Sequence, residues 1–256
     1  MTTEAVARPI GSLSGDEVRA LSRLKVFFGH QSVGADVIAG VGELLAGRPD
    51  LKWSVVESTE PLTGPALAHC PVGRNFEPLS KIQDFARVVR GGVGDTADVA
   101  LFKFCYVDLK HGADVEGLFE SYKAEMTELT RSYPRTKFAH VTVPIRGRRE
   151  GWKLVVKRLL KRPDPFADDN ATRYRFNELM RREYAGGGLL FDLAEAEATR
   201  EDGTRCVTRW QGQTVPCMCP EYTYDAGHLN DRGRRVIAGK FLGFLAKLAR
   251  GGTGVG

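Results

Sequence analysis

Nowhere in this sequence do about 18 apolar residues follow one another, the length that a membrane-spanning helix requires. The first segment, Met1 to Ser14, has no apolar stretch behind a basic start. Neither a membrane span nor a secretory leader is expected, and the cytoplasm is the expected location. Cysteines are few, 5 in 256 residues. Cys70 and Cys105 stand alone and Cys206, Cys217 and Cys219 fall near the end, which is not the spacing of a disulfide framework, so free thiols are expected. There is no internal repeat, low-complexity tract or linker between two cores, so residues 1–250 are expected to form one domain, followed by a flexible Gly/Thr tail at 251–256.

The composition is that of a folded chain, with 42% hydrophobic and 27% charged residues. A net charge of +5 favours anionic partners only weakly. The distribution is more telling. Arg146, Arg148, Arg149, Lys153, Lys157, Arg158, Lys161 and Arg162 form a basic run interrupted among the charges only by Glu150. Trp152, Leu154, Val155, Val156, Leu159 and Leu160 lie within it, as in a helix packed on one side with cations on the other. Such a face is more often solvated than bound to nucleic acid, and no nucleic-acid partner is expected. Placed at the mouth of a site, the same segment would select acidic substrates.

Five β-rich apolar segments stand out: Leu24 to Phe28, Trp53 to Val56, Val99 to Val107, Phe138 to Val143 and Leu189 to Leu193. Helical patterns lie between them, as in the 3.6-residue spacing of Val33, Val37, Ile38, Val41, Leu44 and Leu45. Alternating strands and helices, with strands that read as nearly continuous apolar runs, predict an α/β fold: a three-layer α/β/α sandwich around a five-stranded, mainly parallel sheet. In such sheets the ligand site lies beyond the carboxyl ends of the strands.

Two segments occupy that edge. The first strand runs into Gly29-His30-Gln31-Ser32-Val33-Gly34 and then a helix, and Asp225-Ala226-Gly227-His228-Leu229-Asn230 precedes the final helix. Ser32 is either a helix cap, a common role for serine, or a nucleophile beside the unpaired N–H groups of a helix start. Asp225, three residues before His228, is placed to orient an imidazole whose other nitrogen takes a serine proton. The alternative is a surface histidine capping the last helix.

Together these features resemble the SGNH (GDSL-like) hydrolase superfamily, with a nucleophilic serine after the first strand and D-x-x-H before the last helix. The closer resemblance is to a bacterial branch with an F-G-H-Q-S-V-G start, here Phe28 to Gly34, and a K-F-C-Y-V-D strand, here Lys103 to Asp108. It implies a flavodoxin-like fold, an acyl-enzyme on Ser32, His228 as base and then acid, and Asp225 as its orienting partner. It further implies oxyanion donors: the serine N–H, a glycine after the second strand and an asparagine after the third. Here the chain departs from the pattern, because the third strand ends Cys105-Tyr106-Val107-Asp108 without Gly-x-Asn-Asp. Gly73 and Asn75 are the candidate donors instead, with an ordinary turn as the other reading of Asn75.

His30 is too close in sequence to Ser32 to serve as its base and is expected to pack or to touch substrate. Lys103, Asp108 and His140 are expected to be satisfied polar groups, and His69 and His111 to be loop residues. Cys206, Cys217, Cys219 and His228 offer zinc-ligand types, but Cys217-Met218-Cys219 is C-x-C and not C-x-x-C, and no metal or organic cofactor is expected. The expected activity is hydrolysis of an acyl ester of a small molecule, with a sugar O-acetyl group implied by the resemblance. An acyltransferase with the same site and a non-catalytic anion- or nucleic-acid-binding protein are the alternatives. The oligomeric state is not readable from the sequence.

Overall fold

A computed structural model of the chain describes residues 13–147 and 165–250. The basic run from Arg148 to Arg162 and the tail at 251–256 lie outside the described residues. After a short helix α1 (Gly15–Leu21), closed by a capping box between Ser14 and Glu17, strand β1 (Lys25–His30) enters the middle of the sheet. Helix α2 (Val33–Ala46), strands β2 (Ser54–Glu57) and β3 (Ala66–Pro71), and helix α3 (Pro78–Val88) follow. Next come β4 (Val99–Phe102), α4 (Val115–Ser132), β5 (Lys137–Val141) and α5 (Pro165–Tyr184). The chain ends with β6 (Leu190–Phe191), α6 (Leu193–Ala198), the hairpin β7 (Val207–Trp210) and β8 (Gln213–Pro216), and the long helix α7 (Asp231–Arg250).

The sheet order is β2-β3-β1-β4-β5-β6, and every neighbouring pair is parallel. Alternation along β1 divides its side chains between two cores. Val26 and Phe28 face Val37, Val41 and Phe241, beneath α1, α2 and α7. Phe27 faces Phe85, Phe102 and Phe176, beneath α3, α4 and α5. The three-layer α/β/α sandwich is therefore the observed architecture. No described helix is long and apolar enough to cross a membrane.

The sheet differs from expectation in having six strands. The added strand is β3, Ala-Leu-Ala-His-Cys-Pro, which ends on proline and carries a histidine, so its apolar signal is weak. It nevertheless lies directly beside β1, with Gly29 opposite Cys70. The third expected strand is shorter than its apolar run. After Phe102 the chain leaves the sheet, and the Asp108 carboxylate accepts the Cys105 N–H at 2.6 Å and turns it. The β7–β8 hairpin was also not expected; Gln211 and Gly212 take the two left-handed positions of its turn, at φ 45° and 82°.

The hairpin corrects the expectation for the cysteines. By folding back on itself it brings Cys206 beside Cys219, 13 residues on, and the two form a disulfide. Cys70, Cys105 and Cys217 are free and buried.

Candidate active site

Loops following β1, β3, β4 and β5 converge with the loop before α7 at the carboxyl edge of the sheet. The chain makes its sharpest turn there at Ser32, whose φ of 52° and ψ of −115° lie outside the regions that L-residues favour. Its side chain makes no capping hydrogen bond to α2, so the cap reading does not describe it. The N–H groups of Ser32 and Val33 have no hydrogen-bond partner among the described residues. Gly34 permits this entry because α2 crosses directly over β1. A Cβ at that position would lie 2.3 Å from the Cβ of His30 and 2.9 Å from Cε of Lys103.

Ser32 Oγ lies 2.8 Å from His228 Nε2, and His228 Nδ1 lies 2.7 Å from Asp225 Oδ2. The other Asp225 oxygen accepts the backbone N–H groups of Gly227 and His228, each at 2.7 Å. Partial burial raises the Asp225 pKa, but the three donors and the His228 charge outweigh it and hold the carboxyl at about 2. The loop is tied down at both ends. Thr223 donates to the His228 carbonyl at 2.6 Å, and Leu229 N–H donates to Asp36 of α2 at 3.1 Å. Tyr106 meets the imidazole edge-on at 5.9 Å, and the exposed Tyr224 ring lies nearly parallel to it at 6.3 Å.

The loop after β3 forms a second wall. Gln31 Nε2 donates to the carbonyl of Gly73, which fastens this wall to the residue before the serine. Gly73 sits at φ 58°, where a Cβ would meet the Lys81 backbone at 2.5 Å, so glycine is needed for the turn. Its N–H is already donated to Asp84 at 2.9 Å. Gly73 therefore shapes the loop and is not the free oxyanion donor expected of it. Asn75 is exposed, and its Oδ1 accepts from the Lys81 ammonium at 3.0 Å, leaving the amide Nδ2 as its ligand-facing end. Asp108 joins this wall to the β4 loop by accepting from Lys81 and from the Phe76 N–H at 2.9 Å.

His30 does not reach the site opening. It is buried, its Nε2 lies 3.0 Å from His69 Nδ1, and its Nδ1 has no partner among the described residues. Burial, reinforced by the Lys103 and His69 charges, lowers its pKa to about 3. It is a neutral packing histidine, and the substrate-contact role is withdrawn. His69 is on β3 and not in a loop. Among the described residues, Cys206, Cys219 and Glu221 hold ligand atoms within 4.8 Å of one another, but sulfurs joined in a disulfide are not thiolate ligands.

Residues not foreseen around the triad are Tyr106, Arg146, Arg173 and Glu197. Arg173 is almost wholly buried; its Nε donates to the Tyr106 carbonyl at 2.7 Å. Glu197 is fully buried, accepts from Ile145 N–H at 2.7 Å, and has one oxygen without a partner. Burial raises its pKa to about 8 against the lowering effects of that N–H, Lys103 and Arg173. Arg146 carried a signal in the sequence as the head of the basic run, and Tyr106 lay within the Lys103 to Asp108 segment, but neither was assigned a role from it.

No protein-family model and no curated protein matches the chain. Among solved structures it is similar to one described as a platelet activating factor from Streptococcus pneumonia, at 14% identity over 89% of this chain and 91% of that one, TM-score 0.47. It is also similar to a peptidoglycan O-acetylesterase, at 15% identity over 73% of this chain, TM-score 0.44; the alignment covers about half, 48%, of that chain. A third is described as a lipolytic protein of the G-D-S-L family from Desulfitobacterium hafniense DCB-2, at 9% identity over 88% and 99% of the chains, TM-score 0.44.

Proposed function

We propose that this chain is a serine hydrolase that cleaves an acyl ester through a covalent acyl-enzyme on Ser32. The observation that carries the reading is the unbroken line from Ser32 Oγ through the two nitrogens of His228 to Asp225, with both distances inside hydrogen-bond range. The strained backbone of Ser32 supports it, because such conformations collect where a side chain must be aimed at a ligand.

In the first step Ser32 Oγ bonds to the ester carbon while His228 Nε2 takes its proton. Negative charge gathers on the former carbonyl oxygen, and the unpaired N–H groups at the start of α2 are the donors nearest the nucleophile; the Asn75 amide is a further candidate. Collapse breaks the bond to the alcohol oxygen, which receives the proton from His228. Water then repeats the sequence on the acyl-enzyme and regenerates Ser32. Asp225 holds one imidazole tautomer and stabilises the cationic form.

On location, the proposal departs from the cytoplasm expected from the sequence. A disulfide such as Cys206–Cys219 is ordinarily maintained in an oxidising compartment, which supports an extracytoplasmic site of action.

The test is covalent labelling with a fluorophosphonate, followed by turnover of a panel of small acyl esters. Labelling at Ser32, with loss of both labelling and turnover in Ser32→Ala, is the expected outcome. Full ester turnover by Ser32→Ala would overturn the reading.

A further inference from the structure

Arg146 is held beside the triad by contacts from several directions. Its backbone is gripped by the buried side chain of Asn170, which accepts from the Arg146 N–H at 3.1 Å and donates to its carbonyl at 3.0 Å. Its half-buried side chain reaches the loop that carries the base, where Nε donates to the Ala226 carbonyl at 3.4 Å. The guanidinium lies 5.3 Å from the centre of the Tyr106 ring, the ring that meets His228 edge-on. Among the described residues neither guanidinium NH2 group has a hydrogen-bond partner and no carboxylate is paired with Arg146.

The surrounding cations are only partly offset by nearby acids. Arg173 lies 5.8 Å from the same Tyr106 ring, its own partner Asp169 at a loose 3.4 Å. Lys103, fully buried under the first turn of α2, donates among the described residues to the Phe104 carbonyl and the Cys105 sulfur. On the acidic side, Asp225 keeps its charge but both its oxygens are engaged by Gly227 and His228 and do not pair with Arg146, and burial favours the neutral form of Glu197. A guanidinium without a carboxylate partner, backed by buried cations, attracts anions. Guanidinium is the side chain best matched to a carboxylate or phosphate.

The side of the ester follows from the chemistry. His228 returns its proton to the departing alcohol oxygen, so groups that flank His228 border the alcohol portion. Arg146 flanks His228 through both Ala226 and Tyr106. We propose that Arg146 binds an anionic group, a carboxylate or a phosphate, on the alcohol portion of the substrate, and so makes the chain selective for acidic esters. This rests on the serine-hydrolase reading above. The bond changes are unchanged: the acyl carbon passes from the alcohol oxygen to Ser32 Oγ, and the anion leaves with the protonated alcohol.

The experiment compares kcat/KM on three acetate esters of similar size: para-acetoxybenzamide, para-acetoxybenzoate and para-acetoxyphenyl phosphate. A single charge-assisted contact predicts that one or both anionic esters exceed the neutral one by on the order of 10- to 100-fold. Arg146→Gln should lower that ratio toward unity, Arg146→Lys should retain part of it, and added salt should shrink it in the unmodified protein. Preference for the benzoate or for the phosphate identifies the anion. Ser32-dependent turnover of the benzamide with no anionic preference, or an Arg146→Gln that slows all three esters in equal proportion, would overturn this inference and leave the hydrolase reading standing. Failure to turn over any ester, together with no fluorophosphonate labelling, would remove both.

Discussion

The Lys81 ammonium and the Asp108 carboxylate meet at 2.5 Å with both side chains wholly shielded from solvent. Lys81 also holds Asn75, and Asp108 also holds the N–H groups of Phe76 and Cys105. One buried pair thus fixes two of the loops that border Ser32. Removing one partner strands the other charge, so Lys81→Met or Asp108→Asn should cost about 3–5 kcal/mol in chemical denaturation. The double variant should cost less than the sum. If Asn75 donates to the oxyanion, Asn75→Ala should lower kcat by about 100-fold or more with a smaller effect on KM.

Asp225 accepts three hydrogen bonds, two of them from backbone. In Asp225→Asn the amide no longer demands a proton on His228 Nδ1, and the tautomer required at Nε2 is lost. Turnover should fall by roughly 10³- to 10⁴-fold, measured as kcat on the best ester of the panel. Because the Asp225 carboxyl titrates at about 2, it stays ionised through the working range, and its protonation should not limit turnover above about pH 4.

Glu197 titrates at about 8 in the fold, well above an ordinary glutamate at about 4.3. Between those values the folded chain binds more protons than the unfolded one. Stability should therefore decline as pH rises from about 5 to about 8 and level off above that. Glu197→Gln keeps an acceptor for Ile145 N–H and cannot ionise. Melting temperatures recorded across this range should slope downward for the unmodified protein and be flatter for the variant. Parallel curves would show that Glu197 is ionised throughout.

The disulfide has a direct count. In denaturant without reductant, thiol titration should find three free thiols, those of Cys70, Cys105 and Cys217. A peptide pairing Cys206 with Cys219 should be found by mass spectrometry. For a loop of this length, 13 residues, the double serine variant should lose about 3 kcal/mol. Five free thiols would remove the link.

What the sequence disclosed follows the range of the interactions. Helix α2 announces itself through the spacing of Val33, Val37, Ile38 and Val41, all of which face the core. The Asp225–His228 pair is local, and so is its geometry. By contrast, β3 was missed because Ala66–Pro71 has no β-branched or aromatic residue to mark a strand and is made one by pairing on both edges, with β1 and β2. That omission carried others with it. The burial of His30 depends on His69 of β3, and the loss of Gly73 as a donor depends on Asp84 one helix later. The disulfide was hidden because it requires the β7–β8 hairpin, signalled only by Gln211-Gly212.

Position 32 is under two incompatible demands. The proposed chemistry needs a hydroxyl, whereas a φ of 52° with a ψ of −115° is ground on which glycine is the comfortable tenant. No one of the twenty amino acids meets both. Serine there costs on the order of 1–3 kcal/mol, which the rest of the fold absorbs. An inactive Ser32→Gly protein should therefore outlast the active one on heating, a case in which the chain is less durable because it is competent.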